Sequence, residues 1–365
     1  MYKINFSQPV HVHFIGIGGI SMSGLAEILL KEGFTISGSD NKESALTQHL
    51  ASLGATVFYG QKASNIIEGI DLVVYTAAVH EDNEEYMAAV QKGLPMLSRA
   101  ELLGQLMNNY DMPIAISGTH GKTTTTSMLS HILLAGELDP TISVGGILKA
   151  IGGNIKVGNS EIFLTEACEY TNSFLHFFPK ISVILNIDED HLDFFKDLED
   201  IRNSFRKFAE LLPKDGSLII NGEIDRLGGI TDGLKCNVIT YGMDSSFDYA
   251  AVNITHNQTG AASFDLVIGG IFVSRISLSV SGDHNVSNAL ASIAVADKLG
   301  IPMETIQTGL HDFHGTNRRF EHKGEVNGVT IIDDYAHHPT EIAASLDAAH
   351  HYPHQELWCI FQPHT

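Results

Sequence analysis

The sequence predicts an α/β protein built on parallel sheets. Segments with strand-like and helix-like patterns alternate along most of the 365 residues, and such alternation is typical of parallel sheets with helices packed on both faces. Glycine-rich turns follow two of the predicted strands, at 16–19 and 118–121, and each turn leads into a predicted helix. A turn of this kind between a strand and a helix is a common phosphate site. The fold class is therefore that of a nucleotide-binding α/β protein.

The composition sets limits on function. With 44% hydrophobic residues, the chain can bury a substantial core and form two or three domains. The formal net charge of -21 argues against nucleic acid or an anionic membrane as a partner. Three widely separated cysteines, Cys168, Cys236 and Cys359, predict neither a disulfide framework nor a metal cluster. With no signal peptide and no apolar run of ~18 residues, we expect a cytoplasmic enzyme.

The first predicted unit spans 1–108 and is Rossmann-like. VHVHFIGIGG indicates a strand entering a glycine-rich turn, SGLAEILLKEG an amphipathic helix that ends at Gly33, and FTISGSD a second strand that ends at Asp40. DLVVYTAA indicates a further strand. An acidic residue at the end of the second strand commonly meets a ribose in such units.

The glycine cluster of this unit is an incomplete dinucleotide fingerprint. Its residues are Gly16, Gly18, Gly19 and Gly24, and Ser21 stands where G-x-G-x-x-G has its third glycine. The pattern is weak support for NAD and better support for a nucleotide diphosphate at this turn. The alternative is that the glycines serve close packing of helix on strand.

The second predicted unit, at 109–315, is a central α/β domain of the P-loop ATPase type. The apolar run IAIS ends at Gly118 and is followed by the short loop G-T-H-G-K-T. Its backbone N–H groups and the helix N-terminus would face a polyphosphate, Lys122 would reach the β- and γ-phosphates, and Thr123 would ligate Mg²⁺. The loop is not a full Walker A, because Ile116 occupies the position of the first glycine. An ordinary helix opened by a glycine-rich turn is the alternative.

Two later strands of this unit end in polar residues. EIFLTE ends at Glu166, and ISVILNIDEDHLD carries Asn186, Asp190, His191 and Asp193. The carboxyl ends of parallel strands face one crevice, so we expect Glu166 and His191 near the metal and the γ-phosphate. The alternatives are a solvated strand end for Glu166 and a local helix-start hydrogen bond for His191.

Three polar motifs follow towards the C-terminus. In GDHNVSN, His284 and Asn288 share one helix face and could bracket an adenine, although Asp283 or Asn285 could simply cap the helix. TNRRFE places two guanidinium groups at a predicted domain junction, which suits oxyanions, with a surface salt bridge as the alternative. DDYAHHPTE matches none of the usual zinc spacings, and LWCIF at 357–361 predicts one more strand.

Together these motifs resemble the Mur ligases. The matching segments are HFIGIGGISMSGLAEIL, SGSD, SRAELL, GTHGKTTTTSM, EACEY, NIDEDHLD, GDHNVSNALAS, GTNRRFE, DDYAHHPTE and FQPH. They follow the family order from residue 13 to 364 and so cover nearly the whole chain. The HFIGIGG opening and the histidine of GTHGKT are most similar to the alanine-adding members or to their peptide-recycling relatives.

The resemblance implies a site for each substrate. UDP-N-acetylmuramate would lie in the first unit, on Gly16, Gly18, Gly19, Ser21, Gly24, Ser39 and Asp40, with His120 near its carboxylate. ATP would lie on Gly118, Thr119, Gly121, Lys122, Thr123, Thr124, His284, Asn288, Arg319 and Asp334. Mg²⁺ or Mn²⁺ would be held by Thr123, Glu166 and His191. The implied catalytic residues are His120, Lys122, Glu166 and His191.

The implied reaction belongs to peptidoglycan precursor synthesis. The lactyl carboxylate attacks the γ-phosphate of ATP, an acyl phosphate and ADP form, and the amine of L-alanine then attacks to give an amide. Two anionic reactants must meet in line, so a cation and a lysine that neutralise charge and fix geometry make physical sense here. We expect a monomer or homodimer.

The sequence departs from the family pattern in two places. EACEY stands where many relatives have EADES, so Cys168 and Tyr170 change the surroundings of the Glu166 ligand. The third unit, a partial Rossmann-like domain at 316–365, has few residues beyond DDYAHHPTE, and domains below ~40 residues rarely stand alone. We therefore expect nucleotide binding with poor ligation. The alternatives are a murein-peptide ligase, an NAD-dependent oxidoreductase and a non-catalytic nucleotide-binding module.

Overall fold

The computed structural model describes residues 2–363. The FQPH motif ends at His364, which lies outside the described residues, as do Met1 and Thr365. Within the described part, no helix combines the length and the apolar character needed to cross a bilayer.

Strands occur throughout the described chain. They are β1 (His11–Ile15), β2 (Thr35–Asp40), β3 (Thr56–Tyr59), β4 (Leu72–Tyr75), β5 (Met96–Ser98), β6 (Met112–Ser117), β7 (Thr141–Leu148), β8 (Gly153–Lys156), β9 (Ile162–Ala167), β10 (Ile181–Ile184), β11 (Ser217–Asn221), β12 (Asn237–Gly242), β13 (Tyr249–His256), β14 (Ala261–Ile268), β15 (Ile271–Ser281), β16 (Glu321–Val326) and β17 (Val329–Asp333).

Helices alternate with these strands. They are α1 (Ile20–Lys31), α2 (Ala45–Ser52), α3 (Glu84–Gln91), α4 (Arg99–Met107), α5 (Lys122–Ala135), α6 (Leu198–Glu210), α7 (Gly228–Thr231), α8 (Asp283–Lys298), α9 (Met303–His311) and α10 (Pro339–His350).

The N-terminal sheet confirms the Rossmann-like prediction. Its five strands are parallel in the order β3-β2-β1-β4-β5. The direction of strand addition reverses between β1 and β4, and ligands of open α/β sheets bind at such a point, beyond the carboxyl ends of the strands. The turn at 16–19 follows β1 directly and opens α1. The fold thus brings the first glycine cluster to the expected crevice.

The central sheet has ten strands in the order β15-β14-β13-β12-β11-β10-β6-β9-β7-β8. β6 lies between β10 and β9 and is parallel to both. The loop after β6 therefore has the carboxyl ends of β9 and β10 on either side. This neighbourhood is the one that the sequence predicted for the phosphate loop, for Glu166 and for the polar residues after β10.

The C-terminal residues differ from the expected parallel arrangement. β16 and β17 form an antiparallel two-stranded sheet, joined by Asn327 and Gly328, both with positive φ (52° and 78°). Asn-Gly is the preferred pair for a two-residue hairpin turn. The strand predicted at 357–361 is wrong, because these residues pair with no neighbour in the described structure. An apolar pattern makes a strand only where a ladder partner accepts it.

The N-terminal and central parts pack closely. One continuous cluster of buried side chains runs from Val12 and Phe14 in the first sheet to Phe205 and Phe208 on α6. Gly24 on α1 allows one of the close approaches, because a Cβ there would lie 2.2 Å from the Cδ1 of Ile155 on β8. The contact gives Gly24 a packing role of its own, which is the alternative noted from the sequence.

Candidate active site

Two glycines shape the loop between β6 and α5. Gly118 has φ +144°, and a Cβ there would lie 2.9 Å from the Cβ of Leu185. Gly121 has φ +85°, precedes the first helical residue, and would place a Cβ 2.7 Å from the Oδ1 of Asn288. Positive φ and close backbone approach are the two conditions that select glycine. The loop conformation thus accounts for both glycines without reference to a ligand.

The loop is clamped by the segment that follows β10. The backbone N–H of His120 donates to Asn186 Oδ1 (2.8 Å), and Asn186 Nδ2 donates back to the carbonyl of His120 (3.0 Å). One residue earlier, Thr119 Oγ1 accepts from the N–H of Asp188 (2.9 Å). These bonds fix the loop before any ligand arrives, which lowers the entropic cost of ordering it on binding.

Lys122, the first residue of α5, is folded back onto the loop. Its ammonium donates to the carbonyls of Gly118 and of Thr119 (3.0 Å) and pairs with Glu169 at 3.0 Å and 3.3 Å. Burial lowers the pKa of Lys122, but the Glu169 carboxylate, with Cys168 and Glu166, more than offsets it and leaves that pKa raised. Lys122 therefore carries its charge at the point where a phosphate would meet the helix N-terminus.

Thr123 and Glu166 form an oxygen-rich corner beside Lys122. Thr123 Oγ1 donates to Glu166 Oε2 (3.2 Å), and the N–H of Gly145 donates to Oε1 (2.6 Å). Burial raises the pKa of the Glu166 carboxyl, although these hydrogen bonds and Lys122 act against it. A half-buried carboxylate beside a hydroxyl suits a hard divalent cation, which prefers oxygen ligands. The residues present fit the metal that the resemblance implied.

His191 lies after β10, with φ +53°. Its ring packs on Tyr170 at 4.5 Å between centroids, and its Nδ1 lies 3.8 Å from Asp190 Oδ1. The hydroxyl of Tyr170 donates to Asp193 (2.7 Å). Tyr170 is one of the two departures from the EADES pattern, and it supports His191 by ring contact, as a serine would not.

A cavity of about 470 Å³ opens beside the phosphate loop. Its size is in the usual range for small-molecule sites, about 300–1,000 Å³. Its walls come from the loop, the segment after β10, the start of α8, the 313–322 segment and α10. The predicted site residues on these walls are His120, Gly121, Thr124, His284, Asn288, Arg319 and Asp334. Five segments, several of them far apart in the sequence, thus converge on one cavity.

The predicted adenine and C-terminal residues have distinct surroundings. Asn288 is buried and donates to Asn285 Oδ1 (3.1 Å), whereas His284 is exposed at the cavity wall. Asp334 accepts from the N–H groups of Phe320 (2.9 Å) and Ala336 (2.7 Å) and from the Ser345 hydroxyl (3.0 Å). Asp334 therefore braces the C-terminal segment around the cavity.

His120 links the phosphate loop to α10. Its Nδ1 lies 3.2 Å from Glu341 Oε1 and its Nε2 lies 3.4 Å from Asp188 Oδ2. Arg319 NH1 is 3.7 Å from the same Glu341 oxygen. Burial works against ionisation of Glu341, but the hydrogen bond and charge of His120 and the Arg319 guanidinium lower its pKa to about 2. A charged Glu341 therefore holds two basic side chains at the cavity.

The predicted sugar-nucleotide residues surround the first glycine turn, away from the cavity walls. The N–H of Gly18 donates to Asp40 Oδ2 (2.9 Å), and a Cβ on Gly18 would lie 2.7 Å from that oxygen. The Ser39 carbonyl accepts from Gly16 and Ile17 at 2.9 Å, while its buried hydroxyl donates to Glu85.

Two further predicted residues, Gly19 and Ser21, stand just before α1 and in its first turn. Ser21 Oγ accepts from Arg99 NH1 (3.2 Å), so the structure adds a guanidinium to this turn. Gly19 is the residue before α1, and its φ of -63° needs no glycine.

Sequence reasoning assigned no role to four residues of the candidate site. Glu169 pairs with Lys122, Asn186 clamps His120, and Asp188 and Glu341 contact the His120 ring. Each stands inside a motif that was recognised, namely EACEY, NIDEDHLD or DDYAHHPTE. The sequence contained no sign of which partner each carboxylate would find, because the contacts join segments remote along the chain.

Fold and site together define an α/β enzyme with a phosphate loop opening on a nucleotide-sized cavity. Family profiles agree along the chain: "Mur ligase family, catalytic domain" matches residues 11–111, "Mur ligase middle domain" matches 116–296, and "Mur ligase, glutamate ligase domain" matches 318–365. The chain belongs to the Mur ligase family, a family of ligase enzymes.

Similar proteins carry one recurring name. The chain is 63% identical to the UDP-N-acetylmuramate–L-alanine ligase of Agathobacter rectalis, over all of this chain and 80% of that protein. It is 58% identical to the enzyme of the same name from Lachnoclostridium phytofermentans, again over all of this chain and 80% of the relative.

Solved structures agree. The UDP-N-acetylmuramate–alanine ligase of Thermotoga maritima superposes with a TM-score of 0.78 at 31% identity, covering 93% of this chain and 77% of that one. The UDP-N-acetylmuramate:L-alanyl-γ-D-glutamyl-meso-diaminopimelate ligase of Neisseria meningitides gives 0.76 at 30% identity, over 85% of this chain and 100% of that one.

Proposed function

We propose that this protein ligates L-alanine to the lactyl carboxylate of UDP-N-acetylmuramate, with conversion of ATP to ADP and phosphate. The observation that carries the proposal is the 63% identity, along the whole chain, to a relative named for this reaction. The cavity beside the phosphate loop supports it independently, because six of the ten residues expected around ATP line its walls.

In the first step, two anions, the lactyl carboxylate and the γ-phosphate of ATP, must come together in the site. Lys122 exchanges Glu169 for the β- and γ-phosphates, while the loop N–H groups and the N-terminus of α5 face the same oxygens. Thr123 and Glu166 would hold Mg²⁺ or Mn²⁺, with His191 as a further ligand candidate. The cation would neutralise charge on the transferring phosphoryl group. With charge balanced and geometry fixed, the lactyl carboxylate attacks the γ-phosphorus, the bond to the β-γ bridging oxygen breaks, and an acyl phosphate and ADP result.

His120 contributes to the binding of UDP-N-acetylmuramate. Glu341 holds its Nδ1 and Asp188 lies beside its Nε2, so the ring is fixed at the cavity wall, where it would meet the sugar's carboxyl group. The alanine amine then attacks the acyl carbon, the tetrahedral intermediate collapses, and phosphate leaves as the amide forms. Donors preorganised around the developing charge typically contribute most to such a step.

The three predicted units divide this work in our proposal. Residues 1–108 bind the UDP moiety on the turn at 16–24 and on Asp40, residues 109–315 bind ATP and the metal, and residues 316–365 close on the nucleotide through Arg319 and Asp334. We further propose action in the cytoplasm as a monomer or homodimer, without nucleic acid or membrane partners.

Three alternatives have less support. A murein-peptide ligase would act on the same sugar nucleotide, but the relative of that type is 30% identical, against 63% for the alanine ligase. An NAD-dependent oxidoreductase is wrong for a chain of this ligase family. A nucleotide-binding protein without turnover is not favoured either, because the relatives at 63% and 58% identity are named as ligases.

The test is phosphate release from ATP·Mg²⁺ with UDP-N-acetylmuramate, with and without L-alanine. Release that needs all three substrates is the expected result. Release with the tripeptide in place of alanine would favour the murein-peptide ligase. Calorimetric binding of ATP and UDP-N-acetylmuramate without release would show a binding protein, and binding of neither would refute the proposal.

A further inference from the structure

A group of three metal-ligand side chains lies on the wall of the cavity, apart from Thr123, Glu166 and His191. We propose that His120, Asp188 and His338 form a binding site for a transition metal of the zinc class. Their ligand atoms all lie within 4.8 Å of one another. The three residues come from the phosphate loop, the segment after β10 and the residue before α10. No short sequence motif could have signalled the site.

The distances between the ligand atoms suit one ion. His120 Nε2 lies 3.4 Å from Asp188 Oδ2, and His338 Nδ1 lies 3.9 Å from the same oxygen. The two imidazole rings are 4.6 Å apart between centroids. Zinc–ligand bonds of about 2.0–2.2 Å in tetrahedral geometry place ligand atoms roughly 3–4 Å apart. Small side-chain adjustments would therefore close the three groups on an ion.

Both histidines have the far nitrogen already held. His120 Nδ1 pairs with Glu341 Oε1 at 3.2 Å, and His338 Nε2 lies 2.9 Å from the carbonyl of Glu189, to which it can donate. Metal-binding histidines almost always donate their second N–H to a carboxylate or a backbone carbonyl, which fixes the tautomer and directs the free lone pair to the metal. Here the near nitrogens of both rings face Asp188.

The near nitrogens are not committed to strong hydrogen bonds. His120 Nε2 is buried and has no hydrogen-bond partner despite its proximity to Asp188. His338 Nδ1 accepts a 3.3 Å bond from the N–H of Thr340. An ordinary His–Asp ion pair would be expected to aim its N–H at the carboxylate. The unpartnered nitrogen beside Asp188 Oδ2 is the observation that favours a metal.

The donor set selects the kind of ion. Two imidazoles and one carboxylate suit Zn²⁺, Co²⁺ or Ni²⁺, whereas Mg²⁺ prefers oxygen ligands in octahedral geometry. His120 and Asp188 both line the cavity, so a fourth coordination position can face it. An ion at this point would tie the phosphate loop to the start of α10 and would withdraw His120 from a substrate. Zn²⁺ should therefore inhibit any activity of the cavity.

The test is metal binding by the full chain after removal of metals with a chelator. Zn²⁺ is titrated by calorimetry, and Co²⁺ is added as a probe whose d–d absorption reports low-symmetry nitrogen and oxygen ligation. We expect one Zn²⁺ to bind with displacement of Co²⁺, and an excess of Mg²⁺ to leave the Co²⁺ spectrum unchanged. This readout does not depend on the ligase reaction, so its failure and failure of the proposed function are distinguishable.

Variants decide which residues bind. His338→Asn removes the imidazole but keeps a residue that caps helices well, and Asp188→Asn keeps an acceptor for the Thr340 hydroxyl, which donates at 2.7 Å. Each should weaken Zn²⁺ binding at least tenfold, as losses of metal-site partners commonly do. His80→Asn, at an exposed position of another unit, is the matched control and should bind as the parent does.

Three outcomes would overturn the proposal. They are the absence of Zn²⁺ binding, binding of equal strength in the parent and the His338→Asn variant, and equal loss in the His80→Asn control. Circular dichroism of each variant identifies any that fails to fold. If one does, the Co²⁺ spectrum of the folded parent still decides whether the parent has a nitrogen-ligated site.

Discussion

Replacement of Lys122 by alanine should damage both stability and activity, for different reasons. Glu169 is 2% exposed and meets the ammonium at 3.0 Å, so Lys122→Ala leaves a carboxylate buried without its partner. Removal of one member of a buried ion pair costs about 3–5 kcal/mol in the free energy of unfolding. Loss of a preorganised group at the transferring phosphate costs a factor of about 10²–10³ in rate.

A second substitution separates the two effects. In the variant that combines Lys122→Ala with Glu169→Gln, the buried charge is gone and a neutral amide remains. Replacing both members of a buried pair by neutral groups is often close to neutral, so most of the lost free energy should return. The rate should not return, because no ammonium faces the phosphates. Glu169→Gln alone keeps that ammonium on the carbonyls of Gly118 and Thr119 and should retain turnover.

Urea unfolding followed by circular dichroism measures the stability of each variant, and phosphate release measures the rate. Fluorescence is a poor choice, because the single tryptophan, Trp358, is 82% exposed. If the double variant unfolds as readily as Lys122→Ala, the unpaired Glu169 is not the cause of the loss. If either lysine variant turns over at the parent rate, Lys122 does not serve the phosphates.

Three further predictions follow from contacts around the cavity and between the sheets. Glu166→Gln should abolish Mn²⁺ binding, measured by electron paramagnetic resonance, and unchanged Mn²⁺ affinity would contradict the metal assignment. Thermal stability of this variant should be equal or higher, because burial raises the pKa of the carboxyl and the amide oxygen still accepts from the N–H of Gly145. Gly24→Ala should cost about 1–3 kcal/mol by overpacking against Ile155, and Ile155→Ala in the same chain should recover part of that loss in urea unfolding, whereas strictly additive losses would refute the contact. The pKa of Glu341 is lowered to about 2 from an ordinary value of about 4.5, so the stabilising effect of its charge is complete above pH 5 and is lost as pH falls towards 2. The unfolding free energies of the parent and of Glu341→Gln should therefore differ most above pH 5, by no more than about 3 kcal/mol, and should converge in acid. A difference that stays constant with pH would rule out this linkage.

Local chemistry explains why much of the site could be predicted from the sequence. Gly118 and Gly121 have backbone conformations that favour glycine, and Lys122 and Thr123 follow as the first helical residues. The parallel arrangement of the strands could also be inferred in outline, because apolar runs alternate with helices. From that outline, Glu166 at the end of β9 falls beside the loop.

Other features depended on partners that local pattern does not identify. His120 and Glu341 are 221 positions apart, and nothing in either motif states that they meet. LWCIF has the composition of a strand but no described neighbour to pair with. The hairpin of β16 and β17 is a different case. Its Asn327-Gly328 turn is a strong local signal, and the expectation of a parallel Rossmann-like unit obscured it.

The charged groups at and beside the phosphate loop share one property that bears on any ligand. Lys122 is paired with Glu169, Glu166 with Thr123 and Gly145, and His120 with Glu341. A phosphate or a cation therefore enters by exchange, and each gain is a difference between a new contact and the contact it replaces. Glu169→Gln should tighten ATP binding, because it removes the carboxylate that competes with the phosphates for Lys122. A difference of 1.4 kcal/mol changes an affinity tenfold. Calorimetry with ATP on this variant and the parent measures that difference, and weaker binding by the variant would mean that Glu169 positions Lys122 rather than competes for it.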